Sequence, residues 1–219
     1  MSEAEFLPTR FMRRDIEQEH RADGTILLRN NVPLQPLHAH IPFMLHRQAD
    51  LKPTRTWLAQ RDKLTRQWRR LSYADGAQSV NAVTQALLDL GQPGRVVLVL
   101  SGNSIEHGVL QLAAMQAGMP YSPITPAYSL LSRDHAKLKS MVELLDPAVV
   151  FVQNAREYEG ALRALGLCGA GVGPARGARV IHVDGALPDT DSLRWQDLLG
   201  TPVGPAVAQA VQRLNHDTV

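Results

Sequence analysis

Cysteine is nearly absent from this 219-residue chain. Cys168 stands alone, so no intramolecular disulfide can form, and a disulfide-stapled secreted scaffold is excluded. A basic surplus is missing as well. Lys+Arg number 23 against 21 for Asp+Glu, a net charge of +2, whereas a dedicated nucleic-acid binder carries a clustered basic excess. No run approaches the roughly 20 apolar residues that a bilayer-spanning helix needs. Met1 to Asp15 mixes Glu3, Glu5, Arg10, Arg13 and Arg14 without an apolar core, so it does not read as a secretory signal. These absences predict a cytoplasmic protein with neither nucleic acid nor membrane as partner. What is present is ordinary globular composition, 44% hydrophobic and 20% charged. The chain is long enough to bury most of its apolar surface unaided.

Residues 1–50 read as an extended N-terminal wrap with a short strand and a helix. Asp23 to Asn31 is a β-like run opened by an Asp-Gly turn. Pro33, Pro36 and Pro42 then favour an extended path, and Ile41 to Leu51 allows one short helix. Residues 51–219 read as an α/β subdomain. Thr56 to Arg61 is a candidate strand. Tyr73 to Leu90 carries apolar residues near helical spacing, stopped by Gly91 and Pro93. Arg95 to Gly102, "RVVLVLSG", is a continuous β-branched run typical of a strand buried on both faces. Ile105 to Ala117 predicts a helix ended by Gly118, and "MPYSPIT" a short extended piece. Further along, helices are expected over Ser132 to Leu145, Tyr158 to Leu167 and Leu193 to Leu199. "AVVFVQ" and "ARVIHVD" are expected strands. Such alternation implies an α/β fold, a parallel-rich sheet with helices on both faces.

Several motifs invite chemistry. Gly169, Gly171 and Gly173 suggest a dinucleotide loop, but that fingerprint needs a strand before it and a helix after it. Here the order is inverted and Pro174 interrupts, so a flexible helix-to-strand connection is the better reading. His38, His40 and His46 match no metal-ligand spacing, and Cys168 is remote, so they read as surface or packing histidines. Ser101, Asn103, Ser104 and Glu106 follow the "VVLVL" strand, where open α/β sheets bind ligands. Ser104 fits a helix N-cap, and "SGNS" lacks the glycine pattern and adjacent base of a nucleophilic serine. Arg133, Lys137 and Lys139 are placed on one helix, where most basic faces are simply solvated and a phosphate contact is the sharper reading. No residue is assigned as catalytic or as a metal ligand.

Two stretches together resemble the acyl-adenylate-forming ligase superfamily of acid–CoA ligases, luciferases and peptide-synthetase adenylation domains. "LSYADG" (Leu71 to Gly76) is similar to the family's Leu-Thr-Tyr-x-Glu-Leu motif. "NSIEHGVLQLAAMQAGMPYSPITP" (Asn103 to Pro126) is similar to its Asn-x-x-Glu…Ala-x-x-x-Ala-Gly…Pro…Pro block. "RFMRRDIEQEHRADGTILLRNNVPLQP" resembles bacterial feruloyl-CoA synthetases. The resemblance covers nearly the whole chain and implies the N-terminal part of the large domain of that ligase fold.

It further implies a parent enzyme that joins an aromatic carboxylic acid to coenzyme A through an acyl-adenylate, using ATP and Mg. Arg133, Lys137 and Lys139 become candidates for a coenzyme A phosphate contact. The family's Ser/Thr/Gly-rich phosphate loop ending in Lys-Gly has no counterpart in the sequence. The chain is therefore expected to be a fragment cut before that loop, inactive alone and lacking a C-terminal portion that would be its partner. A sheet so cut is expected to expose an edge through which two copies could pair. Ala206 to Leu214 adds an apolar helical stripe that either needs a partner or folds back on the chain's own core. The alternative is a stand-alone, non-catalytic α/β binding or interaction module.

Overall fold

The computed structural model describes residues 15–62, 64–169, 172–175 and 177–218. Met1 to Arg14, read above as no secretory signal, lies outside the described residues, as does Gly171. The chain divides into two units, Met1–Leu37 and His38–Val219.

In the first unit, β1 (Ile16–His20) and β2 (Ile26–Asn30) pair antiparallel. Their turn is the Asp-Gly step: Asp23 Oδ1 accepts from the Thr25 amide at 2.9 Å. Gly24 takes φ 86°, a left-handed value that glycine adopts without cost. The register places Ile16, Gln18, His20, Ile26 and Leu28 on one face.

The second unit opens with α1 (Ile41–Leu51), whose Pro42 sits in the first turn, where its missing N–H is no loss. Strands β3 (Thr56–Arg61) and β4 (Trp68–Ser72) form an antiparallel hairpin that runs directly into α2 (Tyr73–Asp89). Ser72 caps α2, its Oγ accepting from the Asp75 amide at 3.1 Å.

The apolar runs then assemble as predicted. Strands β5 (Val96–Val99), β6 (Tyr121–Pro123), β7 (Pro147–Asn154), β8 (Arg179–Asp184) and β9 (Ser192–Arg194) make one parallel sheet in the order β6-β5-β7-β8-β9. Between and after them come α3 (Ile105–Ala117), the single turn α4 (Ala127–Leu130), α5 (Ala136–Leu145), α6 (Glu159–Ala164) and α7 (Trp195–Leu199). Val97, Val99, Val149 and Phe151 join one core cluster with α2, α3 and α7. Leu98, Leu100, Val150 and Val152 join a second with α5 and α6. Helices thus cover both faces, and each fully buried side chain stabilises the fold by about 1.5–3 kcal/mol. Gly118, at φ 70°, ends α3.

The last helix, α8 (Pro205–Arg213), buries Val207 and Ala210 and packs on α2 and α3. The stripe expected over Ala206 to Leu214 therefore folds back on the chain's own core. No helix is long and apolar enough to cross a membrane among the described residues.

Three elements differ from the sequence reading. The helix expected from Ser132 begins only at Ala136, because Ser132 Oγ accepts from the His135 amide, Asp134 Oδ1 accepts from the Ala136 amide, and His135 sits at φ 52°. Arg133 consequently lies outside α5. The helix expected over Tyr158 to Leu167 is confined to Glu159–Ala164. Leu193 belongs to β9 instead of the following helix. Gly169 and Gly173 lie between α6 and β8, the helix-to-strand order expected from the sequence, and Gly173 packs where a Cβ would strike the Leu165 and Gly166 backbone.

Candidate functional site at the carboxyl edge of the sheet

The chain leaves β5 toward the first cluster through α3 and leaves β7 toward the second through α6. Neighbouring strands with departures on opposite faces open a crevice at their carboxyl ends, the usual ligand position in open α/β sheets. Ser101, Gly102, Asn103 and Ser104 line the exit from β5, and Gln153 is the penultimate residue of β7.

The crevice is filled by the chain itself. Glu106, in the first turn of α3 and only 3% exposed, meets Arg69 from β4, with Nη1 to Oε1 at 2.6 Å. Gln153 Nε2 donates to the other carboxylate oxygen at 3.3 Å. Gln60, from β3, accepts with one oxygen from Arg69 Nη2 and from the Ile105 amide, both at 3.1 Å. Ser104 Oγ accepts from the His107 amide at 3.0 Å, which makes it the N-cap expected from sequence. Ser101 Oγ accepts from the Gln153 amide.

Electrostatics follow from this packing. Burial pushes the Glu106 carboxyl up, but the Arg69 hydrogen bond and charge, a backbone N–H and Gln153 outweigh it, and the group lies below its ordinary range. Glu106 is therefore a fixed anion. Its one cation is already engaged, and Gln153 Oε1 is left buried without a partner among the described residues. An anion plus an open acceptor disfavours a polyphosphate here.

The remaining candidates are scattered. His40 Nδ1 caps α1 by accepting from the Phe43 amide at 3.1 Å, His46 Nε2 donates to Gln116 Oε1 at 2.7 Å, and His38 packs on Phe43. Arg133 is exposed in the turn before α5. Lys137 Nζ lies 5.7 Å from the centre of the Tyr128 ring, and Lys139 is two residues on, roughly 200° around the helix. The structure does not gather the three onto one surface point. Glu106 is named from the sequence, but its partners Arg69 of β4 and Gln153 of β7 are not, nor is Gln60 of β3, which accepts from Arg69.

A family model described as "AMP-binding enzyme" matches residues 45–216. This chain belongs to the AMP-binding enzyme family. Among solved structures, the chain resembles the acetoacetyl-CoA synthetase from Streptomyces lividans at 20% identity and a TM-score of 0.61, over 76% of this chain and 26% of that one. It also resembles a nonribosomal peptide synthetase solved in an AMPPNP-bound form, at 18% identity and a TM-score of 0.53, over 80% of this chain and 15% of that one. No curated protein matches it. The chain thus spans about a quarter or less of these two solved chains. Its fold is that of the N-terminal part of the adenylate-forming ligase domain.

Proposed function

We propose that the chain is the N-terminal scaffold of an ATP- and Mg-dependent ligase that joins an aromatic carboxylic acid to coenzyme A through an acyl-adenylate. The observation that carries this reading is the family match over residues 45–216. The feruloyl-like substrate rests on the N-terminal resemblance from Arg10 to Pro36. In this reading the residues present do not bind the nucleotide: the crevice holds a buried carboxylate whose cation is already paired, and no phosphate loop occurs in the sequence. The chain's contribution is to lock the β3–β4 hairpin onto the carboxyl edge through Arg69 and Glu106. Arg133, Lys137 and Lys139, all exposed, remain proposed contacts for a coenzyme A phosphate. A second reading, a non-catalytic module, is favoured by one observation: α8 buries its apolar stripe on α2 and α3.

Pyrophosphate release with ATP, Mg and ferulate tests the proposal. The chain alone is expected to release none. Extension of the reading frame to include a Ser/Thr/Gly-rich loop is expected to restore release. Turnover by the chain alone, or no turnover by the extended protein with any aromatic acid, would overturn it.

A further inference from the structure

Away from the crevice, α1, β3, α3 and Tyr73 of α2 line an open cleft of about 760 Å³, within the volume range of small-molecule sites. Two contacts fix how the helices run beside it. His46 of α1 meets Gln116 of α3, and Leu58 of β3 meets Gly108 just over two turns earlier in α3. Met44 of α1 and Leu112 of α3 give the cleft apolar walls, while Lys52 and Arg55 line it from the carboxyl end of α1 onward. No acidic residue lines the cleft among the described residues. Lys52 and Arg55 are exposed, and neither forms an ion pair among the described residues. The carboxyl end of α1 carries about half a negative charge, which two full cations outweigh.

We propose that this cleft binds a small amphipathic anion, with a carboxylate or phosphate head at Lys52 and Arg55 and an apolar body along α1 toward Met44 and Leu112. Met44 to Lys52 spans about 12 Å of helix axis, which sets the length of the body. The inference uses neither the crevice nor the nucleotide, so it stands or falls independently of the ligase reading.

Backbone amide NMR of the full 219-residue chain, titrated with octanoate, octyl phosphate and neutral octanamide, provides the test. Saturable shifts at Lys52, Arg55, Trp57 and Leu112 are expected with octanoate or octyl phosphate, and the tighter of the two identifies the head group. Octanamide should bind more weakly. The double variant Lys52→Met and Arg55→Met keeps both apolar stems, and should weaken the anion about tenfold while leaving octanamide unchanged. Leu112→Trp fills the apolar end and should weaken all three. The proposal fails if octanamide binds as tightly as the anions, or if the double variant changes nothing. It also fails if shifts at the cleft follow protein concentration alone, which would assign the surface to a second copy, or if no probe saturates there.

Discussion

Gly76 lies so close to the indole of Trp57 that a β-carbon there would meet the ring. Gly108 stands in the same relation to Leu58, whose Cδ1 would lie 2.8 Å from an added Cβ. Two glycines on adjacent helices thus seat the β3–β4 hairpin. Gly76→Ala is expected to cost about 1–3 kcal/mol through overpacking, in spite of a gain of about 1 kcal/mol in helix propensity. A thermal melt checks this, and a Tm equal to or above that of the unsubstituted chain would show that the hairpin shifts freely.

Arg69→Met should leave Glu106 buried without its cation. A loss of about 1–3 kcal/mol is expected in denaturant unfolding near neutral pH. The sign of the pH dependence follows from the lowered carboxyl: the pair stabilises above the ordinary value of 4.5 and that contribution is lost as pH falls through the folded value. The variant should lose this acid-side slope. An unchanged slope would remove Arg69 from the account.

His40 caps α1 only while its Nδ1 is unprotonated. Burial, with the charge of His46 beside it, holds the imidazole below its ordinary 6.5. The unfolded chain therefore takes up the proton first as pH falls. The cap contributes fully above about pH 6.5 and fades below it. Amide exchange in α1 should accelerate on going from about pH 8 to about pH 5.5, after correction for intrinsic rates. His40→Asn, which caps without titrating, should abolish the change.

Gln116 is fully buried and joins three helices. It accepts from His46 and donates from Nε2 to Asn81 Oδ1 at 2.8 Å and Thr84 Oγ1 at 3.3 Å. Gln116→Leu keeps the apolar volume but orphans these groups, for an expected loss of about 1–3 kcal/mol. Stability equal to that of the unsubstituted chain would mean that water replaces the amide.

Cys168 is buried, and burial pushes its thiol up against the opposing charge of Arg163. The folded chain is expected to resist iodoacetamide at neutral pH and to react once unfolded. Mass spectrometry of the labelled chain reads this directly, and rapid labelling of the native form would contradict the packing around α6.

The buried strands were legible because both faces of β5 and β7 are apolar, leaving a continuous run, and in β8 only the buried His182 interrupts it. β1 and β4 were not, since Ile-Glu-Gln-Glu-His and Trp-Arg-Arg-Leu-Ser are held largely by backbone ladders on exposed surface. The start of α5 was misplaced because Ser132 and Asp134 bond local amides in a turn that periodicity does not register. Glu106 was visible as an acid in the first turn of an apolar helix. Arg69 was not, because its partner lies 37 positions away and only the hairpin's seating on two glycines brings them together.

The double-sided burial of β5 and β7 has a cost in specificity. A slip of one residue would exchange Val97 and Val99 for Leu98 and Leu100, hydrocarbon for hydrocarbon, and expose nothing polar to punish the error. Alignment must come from elsewhere, and the two ends supply it. At the start, Arg95 Nη2 donates to Asp146 Oδ1 at 2.8 Å and to the Pro147 carbonyl at 3.0 Å. At the finish, Ser101 Oγ receives the Gln153 amide. Four polar residues at the margins act as pegs for a ladder whose rungs are otherwise interchangeable.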